Sequence, residues 1–298
     1  MKDIDLILSG GGANLGYYIG FSEIILKSNK VNVKNVYGCS GGSLVAPYII
    51  TNNVSIAKNL YLIDDNQSNN YKYLTVNDWF YPLQYAEKLP FGTRIANLIR
   101  FLFLLFLQSA YKNYNMIFLD ELESKFTNRD ISNIDKKLHI VATSMKTGKA
   151  KWFNGYQGNG WKWQDAVKAS STVTLVTQPV KINNIEYIDG GYTDFIPIPK
   201  KHDSTLKVIL TWDNIRYPRD DKIARGNVIE FLLSIFNKTV VSQATAKLKY
   251  YQNSSKDDFV IYSTELKFST LFDADLKSRQ EIYNIGKKHA RQFIDDYC

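Results

Sequence analysis

Three short stretches of this chain carry residue types that can do acyl-transfer chemistry. Residues 33–46 read VKNVYGCSGGSLVA, and Gly38-Cys39-Ser40-Gly41-Gly42 within them matches G-x-S-x-G. Small neighbours let such a serine sit on a strained strand-to-helix turn with its oxygen exposed. The helix that follows points its N-terminal amides, the positive end of its dipole, at that oxygen. The competing account of the same residues is a structural glycine turn in which Ser40 merely caps a helix.

The second stretch is IDLILSGGGANLG at residues 4–16. Gly10, Gly11 and Gly12 bring bare backbone amides to a loop that runs straight into a helix. That arrangement binds an anion, either a phosphate or the oxyanion of an acyl intermediate. Dinucleotide binding is disfavoured. It needs G-x-G-x-x-G and an acidic residue after the second strand, whereas Gly10, Gly12 and Gly16 are spaced G-x-G-x-x-x-G and the second strand leads into Cys39-Ser40. The third stretch, IEYIDGG at 185–191, places Asp189 between a strand and two glycines. A carboxylate held there can accept the proton of Ser40, although an Asp-Gly hairpin turn explains it equally on its own.

A histidine would complete a Ser-His-Asp arrangement, and the order Ser40, Asp189, then His202 or His289 permits one. His202 lies in the polar run PKKHDS, and His289 sits among Lys287, Lys288 and Arg291; both read as surface residues. His139 falls inside a strand and reads as packed or paired. Cys39 reads as a small buried filler. It and Cys298 have neither metal-ligand nor disulfide spacing.

These residues need a scaffold of strands ending in turns. Residues 4–9 and 31–37 are apolar strands, each entering a glycine turn and then a helix, at 16–27 and 41–51. Two successive βα units imply a parallel sheet with right-handed crossovers. Further strands are expected at 137–144 and 206–212, with a return strand near Trp152. A hairpin is expected at 179–188, turning at Asn183-Asn184. Helices are expected at 162–171, 226–250 and 275–297. Residues 63–74 are polar and read as a loop, and 75–128 read as helical material inserted over the sheet, a candidate lid. The run LIRFLFLLFL at 98–107 is interrupted by Arg100 and is well short of the roughly 18 residues that span a bilayer.

At 298 residues, with no repeat or long linker, the chain is expected to form a single α/β domain. Its formal charge of +8 favours anionic partners such as acidic headgroups. The basic residues are scattered, which argues against nucleic acid. The apolar run after Met1 is too short for a signal peptide, so a reducing, cytoplasmic setting is expected.

The motifs, in this order, resemble those of the patatin-like acyl hydrolases. SGGGANLGYYIGFSEIIL is similar to the family's glycine-rich loop and helix, YGCSGGSLVA to its nucleophile turn, and VKINNIEYIDGGYTDFIPI to the segment ending in Asp-Gly-Gly. LHIVATSMKTGKAKWF, DAVKASSTV and FDADLKSRQEIYNIGKKHA resemble the intervening strand, helix and closing helix.

The resemblance implies a three-layer fold with a mainly parallel sheet flanked by helices. It implies a Ser40–Asp189 dyad without histidine, and an oxyanion hole lined by the amides of Gly10, Gly11 and Gly12. Fatty acyl esters of phospholipids, lysophospholipids or neutral acylglycerols would be hydrolysed through an acyl-enzyme, with no metal or organic cofactor.

The chain departs from the family's pattern in three places. Asn14 stands where a cation is usual and Leu15 where glycine is. Ser171-Thr172-Val173-Thr174 lacks a proline. Phe195 replaces an asparagine two residues before Pro197.

Residues 98–107, flanked by Lys88, Arg94, Arg100 and Lys112, are either a membrane-docking lid or a core helix. Peripheral membrane contact, in the cell's own or a host cytoplasm, is expected; an activator protein is not legible. Two readings compete with the dyad hydrolase: a non-catalytic lipid-binding protein of the same fold, and a Ser-His-Asp esterase using His202 or His289.

Overall fold

The computed structural model describes residues 1–12, 15–62, 137–154, 161–172, 179–199, 205–213, 228–254, 259–265 and 275–298. The candidate lid at 75–128, Asn14 and His202 lie outside them.

The chain opens with β1 (Lys2–Leu8), α1 (Leu15–Lys27), β2 (Val31–Cys39), α2 (Gly41–Ile50) and α3 (Val54–Tyr61). Next come β3 (Lys137–Ser144), β4 (Ala150–Asn154), α4 (Trp163–Ser170), β5 (Val180–Ile182) and β6 (Ile185–Asp189). It closes with β7 (Leu206–Trp212), α5 (Val228–Ser254), β8 (Phe259–Thr264) and α6 (Leu276–Tyr297). Strands β3 and β7 fall where their apolar runs place them. Helix α3 and strand β8 were not anticipated. Val54, Ala57 and Tyr61 give α3 one buried face, and β8 is a short run that pairs parallel to β7 at the sheet's edge.

The eight strands form one sheet, paired in the order β5-β6-β3-β2-β1-β7-β8 with β4 also on β3. Pairs β1–β2, β1–β7, β2–β3 and β7–β8 are parallel. The pairs β3–β4, β3–β6 and β5–β6 are antiparallel. The β5–β6 turn is the expected one: Asn183 and Asn184 both have positive φ, 49° and 63°, as a two-residue hairpin with the right twist requires.

Strands β1 and β7 are buried on both faces, the mark of a sheet covered by helices on each side. Helix α1 buries Tyr17, Tyr18, Phe21 and Ile25. It also packs against α6, whose N-terminus is capped by the Asp275 side chain, which accepts from Ser278 N–H at 2.7 Å. The two helices touch backbone to backbone. A Cβ on Gly20 would fall 2.0 Å from the Tyr283 carbonyl oxygen, and one on Gly286 2.2 Å from that of Tyr17.

The strand order reverses at β1, with β2 and β3 on one side and β7 and β8 on the other. Open α/β sheets bind ligands beyond the carboxyl ends of the strands at such a reversal. The glycine loop leaves the carboxyl end of β1, and Ser40 follows that of β2.

Candidate active site

The sheet brings Ser40 and Asp189 together by register. A strand has two edges, and Val141 of β3 pairs with Cys39 of β2 and with Trp152 of β4. Thr143 pairs with Ala150 of β4 and Ile188 of β6. Strands β2 and β6 therefore share one edge of β3, opposite β4. They run towards each other and meet carboxyl end to carboxyl end, Cys39 opposite Val141 and Asp189 opposite Ala142. Neither can continue, so both chains turn off the sheet at this point, one at Ser40 and the other at Gly190.

The first turn is strained. Ser40 has φ 49° and ψ −122°, a conformation that costs a non-glycine residue about 1–3 kcal/mol. Its neighbours explain how it fits. A Cβ on Gly42 would meet Leu8 backbone and side-chain atoms at 2.5–2.8 Å, and one on Gly41 would meet Gly12 N and O at about 3 Å. The elbow is thus pressed against β1 and the glycine loop. The Ser40 carbonyl accepts from Ser43 N–H at 2.9 Å and Ser43 Oγ at 2.6 Å. Its N–H donates to Ser170 Oγ at 3.0 Å. Its own hydroxyl makes no capping bond to α2, which removes the capping account of the serine.

Asp189 lies on the other side of the junction, 2% exposed. Its Oδ1 accepts from Gly191 N–H at 2.7 Å, and its backbone carbonyl accepts from Thr143 Oγ1 at 2.8 Å. Burial pushes the carboxyl up to about 6, against the lowering pull of Ser40 and of the Gly191 amide. Ser40 is thus near enough to stabilise the carboxylate. Oδ2 is buried with no hydrogen-bond partner among the described residues. An acceptor with a lone pair to spare and a raised pKa is suited to take a proton near neutral pH.

The glycine loop is held from behind. The Gly10 carbonyl accepts from Trp212 Nε1 at 2.5 Å, Ser9 Oγ at 3.0 Å and Tyr18 OH at 3.2 Å. In a trans peptide the following N–H points the opposite way, so these donors turn the Gly11 amide to the other side of the loop. Gly11 and Gly12 are half-buried, whereas Gly10 is buried, and the Gly10 N–H donates to the Phe195 carbonyl at 3.1 Å. Of the three expected oxyanion donors, Gly10 is therefore committed to protein, and Gly12 is the one packed against the elbow.

The remaining candidates separate from this cluster. His289 Nδ1 lies 2.8 Å from Tyr17 OH, and its ring packs on Tyr17 and Tyr262 in the α1–α6 seam. His139 stacks on Tyr37, with ring centroids 4.4 Å apart, and bonds Asn154. Cys39 is buried. Burial, then the charges of Asp189 and Asp194, push its thiol well above the usual range, so it stays protonated. Leu15 is buried with its Cδ2 against Gly41. Ser170, Thr143, Trp212 and Tyr18 support the site, yet nothing local in the sequence marks them.

The model of a known family of lipid-ester hydrolases, patatin-like phospholipase, matches residues 6–200. The chain belongs to the patatin-like phospholipase family. That match takes in the glycine loop, Ser40 and Asp189; β7, α5, β8 and α6 lie beyond it. No curated protein matches the sequence.

Among solved structures, VipD from Legionella pneumophila shares the fold seen here. Its TM-score is 0.53 at 15% identity, and the match covers all of this chain and 67% of VipD. The type III effector protein ExoU is matched at a TM-score of 0.44 and 16% identity, over 98% of this chain and 53% of that one. ExoU in its complex with SpcU, from the type III secretion system of Pseudomonas aeruginosa, scores 0.40 at 14% identity, over 98% and 51%. The chain thus spans about two thirds of VipD and half of ExoU. No described helix is long and apolar enough to cross a membrane.

Proposed function

We propose that this protein hydrolyses fatty acyl esters of membrane lipids, phospholipids or lysophospholipids first among them, with Ser40 as nucleophile and Asp189 as base. Ser40 Oγ attacks the ester carbonyl as its proton passes to Asp189. The tetrahedral oxyanion is held by the amides of Gly11 and Gly12, with the N-terminal end of α2 adding to the positive field. Collapse of the intermediate expels the lyso-lipid or alcohol, which takes the proton from Asp189, and leaves an acyl ester on Ser40. Water, deprotonated by the same carboxylate, then releases the fatty acid and restores the serine.

The observation that carries this reading is the head-on meeting of β2 and β6. It sets a strained serine against a buried carboxylate with an unpartnered oxygen. The chemistry needs no metal or organic cofactor. The lipid is met from the cytoplasmic side of a membrane, and residues 98–107 are proposed as the docking segment.

The test is fatty-acid release from mixed phospholipid and acylglycerol vesicles by the intact protein, Ser40→Ala and Asp189→Asn, alongside fluorophosphonate labelling. Release lost in both variants, with labelling confined to Ser40, is the expected result. Release surviving Ser40→Ala would overturn the mechanism, and an intact protein that neither cleaves nor labels would make this a lipid-binding member of the fold.

A further inference from the structure

A single segment, residues 193–196, ties the turn that carries Asp189 to the glycine loop. At one end, Thr193 N–H and Asp194 N–H both donate to the Gly190 carbonyl, at 3.1 and 2.8 Å. Thr193 Oγ1 also lies 2.8 Å from Thr143 Oγ1, the group that bonds the Asp189 carbonyl. In the middle, the Phe195 ring occupies the space beside two glycines. A Cβ on Gly10 would fall 2.2 Å from it, and one on Gly191 3.1 Å. The Phe195 carbonyl accepts the Gly10 N–H. The position of this strap therefore sets where the base stands relative to the oxyanion loop.

What fixes the strap comes from far along the chain. Lys247 of α5 donates to Asp194 Oδ1 at 2.5 Å and to the Ile196 carbonyl at 2.8 Å, bracketing Phe195 on both sides. The ion pair is largely buried, with the Asp194 and Lys247 side chains 11% and 26% exposed. A charge-assisted bond with little water around it is stronger and more directional than a surface pair. Helix α5 holds the lysine in place by burying Val240, Ala244, Leu248 and Tyr251. These lie at helical spacing on the face that adjoins position 247.

We propose that Lys247, which lies outside the segment matching the family, is a positioning residue for the reaction. Through Asp194 and Ile196 it locks the strap that holds the Asp189 turn and the glycine loop in register. The inference rests on the hydrolase reading above. On it, the C-terminal part of the chain is needed for turnover as well as for the sheet.

The test measures kcat and KM on a short soluble ester. Each kcat is expressed per Ser40 that fluorophosphonate labels at completion, so that misfolded protein drops out of the count. Lys247→Met is expected to lower kcat per labelled serine at least tenfold and to slow labelling, with KM within about twofold. Lys247→Arg, which can still reach both acceptors, should recover most of the loss. The double variant Lys247→Met with Asp194→Asn should be no worse than Lys247→Met alone, since the Asp194 carboxylate takes part in the lock through its bond to Lys247.

If Lys247→Met loses activity only in proportion to labelled serine, or keeps its kcat, the proposal fails while the hydrolase reading stands. Additive losses in the double variant would also overturn it. An intact protein that fails to label or turn over refutes the hydrolase reading itself.

Discussion

Replacing Asp189 by asparagine should make the protein more stable while making it inactive. The native carboxyl is buried, and its pKa is raised from 3.8 to about 6. A carboxyl raised on folding binds its proton more tightly in the folded state. Its penalty is then full above about 6, shrinks as pH falls from there to 3.8, and vanishes below. At about 1.4 kcal/mol for each tenfold change in proton affinity, that penalty is about 3 kcal/mol near pH 8 and about 1 kcal/mol near pH 4.5.

Asparagine keeps an oxygen for the Gly191 amide and carries no charge. Its amide group needs a new acceptor, which offsets part of this, so the net gain near pH 8 is expected at up to about 2 kcal/mol. For a chain of this length that is a rise in Tm of up to about 3 °C. Thermal unfolding of the native protein and of Asp189→Asn, run near pH 8 and near pH 4.5, gives the comparison. A gain at the higher pH that mostly disappears at the lower one is the expected pattern. A variant less stable than the native protein near pH 8, or a gain of the same size at both pH values, would refute the argument that burial of the charge carries the cost.

The same group fixes the pH dependence of the reaction. With a soluble ester, kcat/KM should fall about tenfold per pH unit below the carboxyl's pKa of about 6 and level off above it; a pH-independent profile would remove Asp189 as the base. Ser170→Ala leaves the Ser40 N–H without its acceptor, at about 1–3 kcal/mol if the amide stays unsatisfied, and stopped assays should show turnover reduced about tenfold with the fold intact by circular dichroism. Gly286→Ala sets a methyl against the Tyr17 carbonyl and should cost about 1–3 kcal/mol, read as a lower Tm with unchanged kcat per labelled serine.

Much of this architecture is legible in the sequence because it is written locally. An apolar run that stops at glycine marks each of β1 and β2, and Asn183-Asn184 marks the β5–β6 turn by its tolerance of positive φ. Strand β8 escapes because six residues at a sheet edge carry too little pattern to distinguish them from a loop. Helix α3 carries a readable signal, the Val54, Ala57 and Tyr61 spacing after Asn53, but it is short and runs straight into a polar stretch. At the site, the residues that carry their own motif stand out: Ser40 by its glycines, Asp189 by the pair that follows. Those that act by placement do not. Ser170 is one of two adjacent serines at a helix end, and Lys247 is one of three lysines on a long helix; only packing separates them from their neighbours. Phe195 was visible as a departure from the family's pattern, but its role needed the glycines at positions 10 and 191 to be seen beneath its ring.

The shared edge of β3 works as a ruler. Ser40 and Asp189 are placed by consecutive rungs of one hydrogen-bonded ladder, so their separation is counted in β3 residues. It does not depend on the length of chain that joins them. In sequence, the chain between α3 and β3 falls outside the paired residues of that ladder. It can lengthen, shorten or be exchanged for another without moving either side chain. A single inserted or deleted residue within β3 between Val141 and Ala142, by contrast, would change the count and part the two groups. Chain length between the two elements is thus free to vary while the register that sets the two groups stays fixed, and a designer wishing to insert new sequence into this scaffold should cut there.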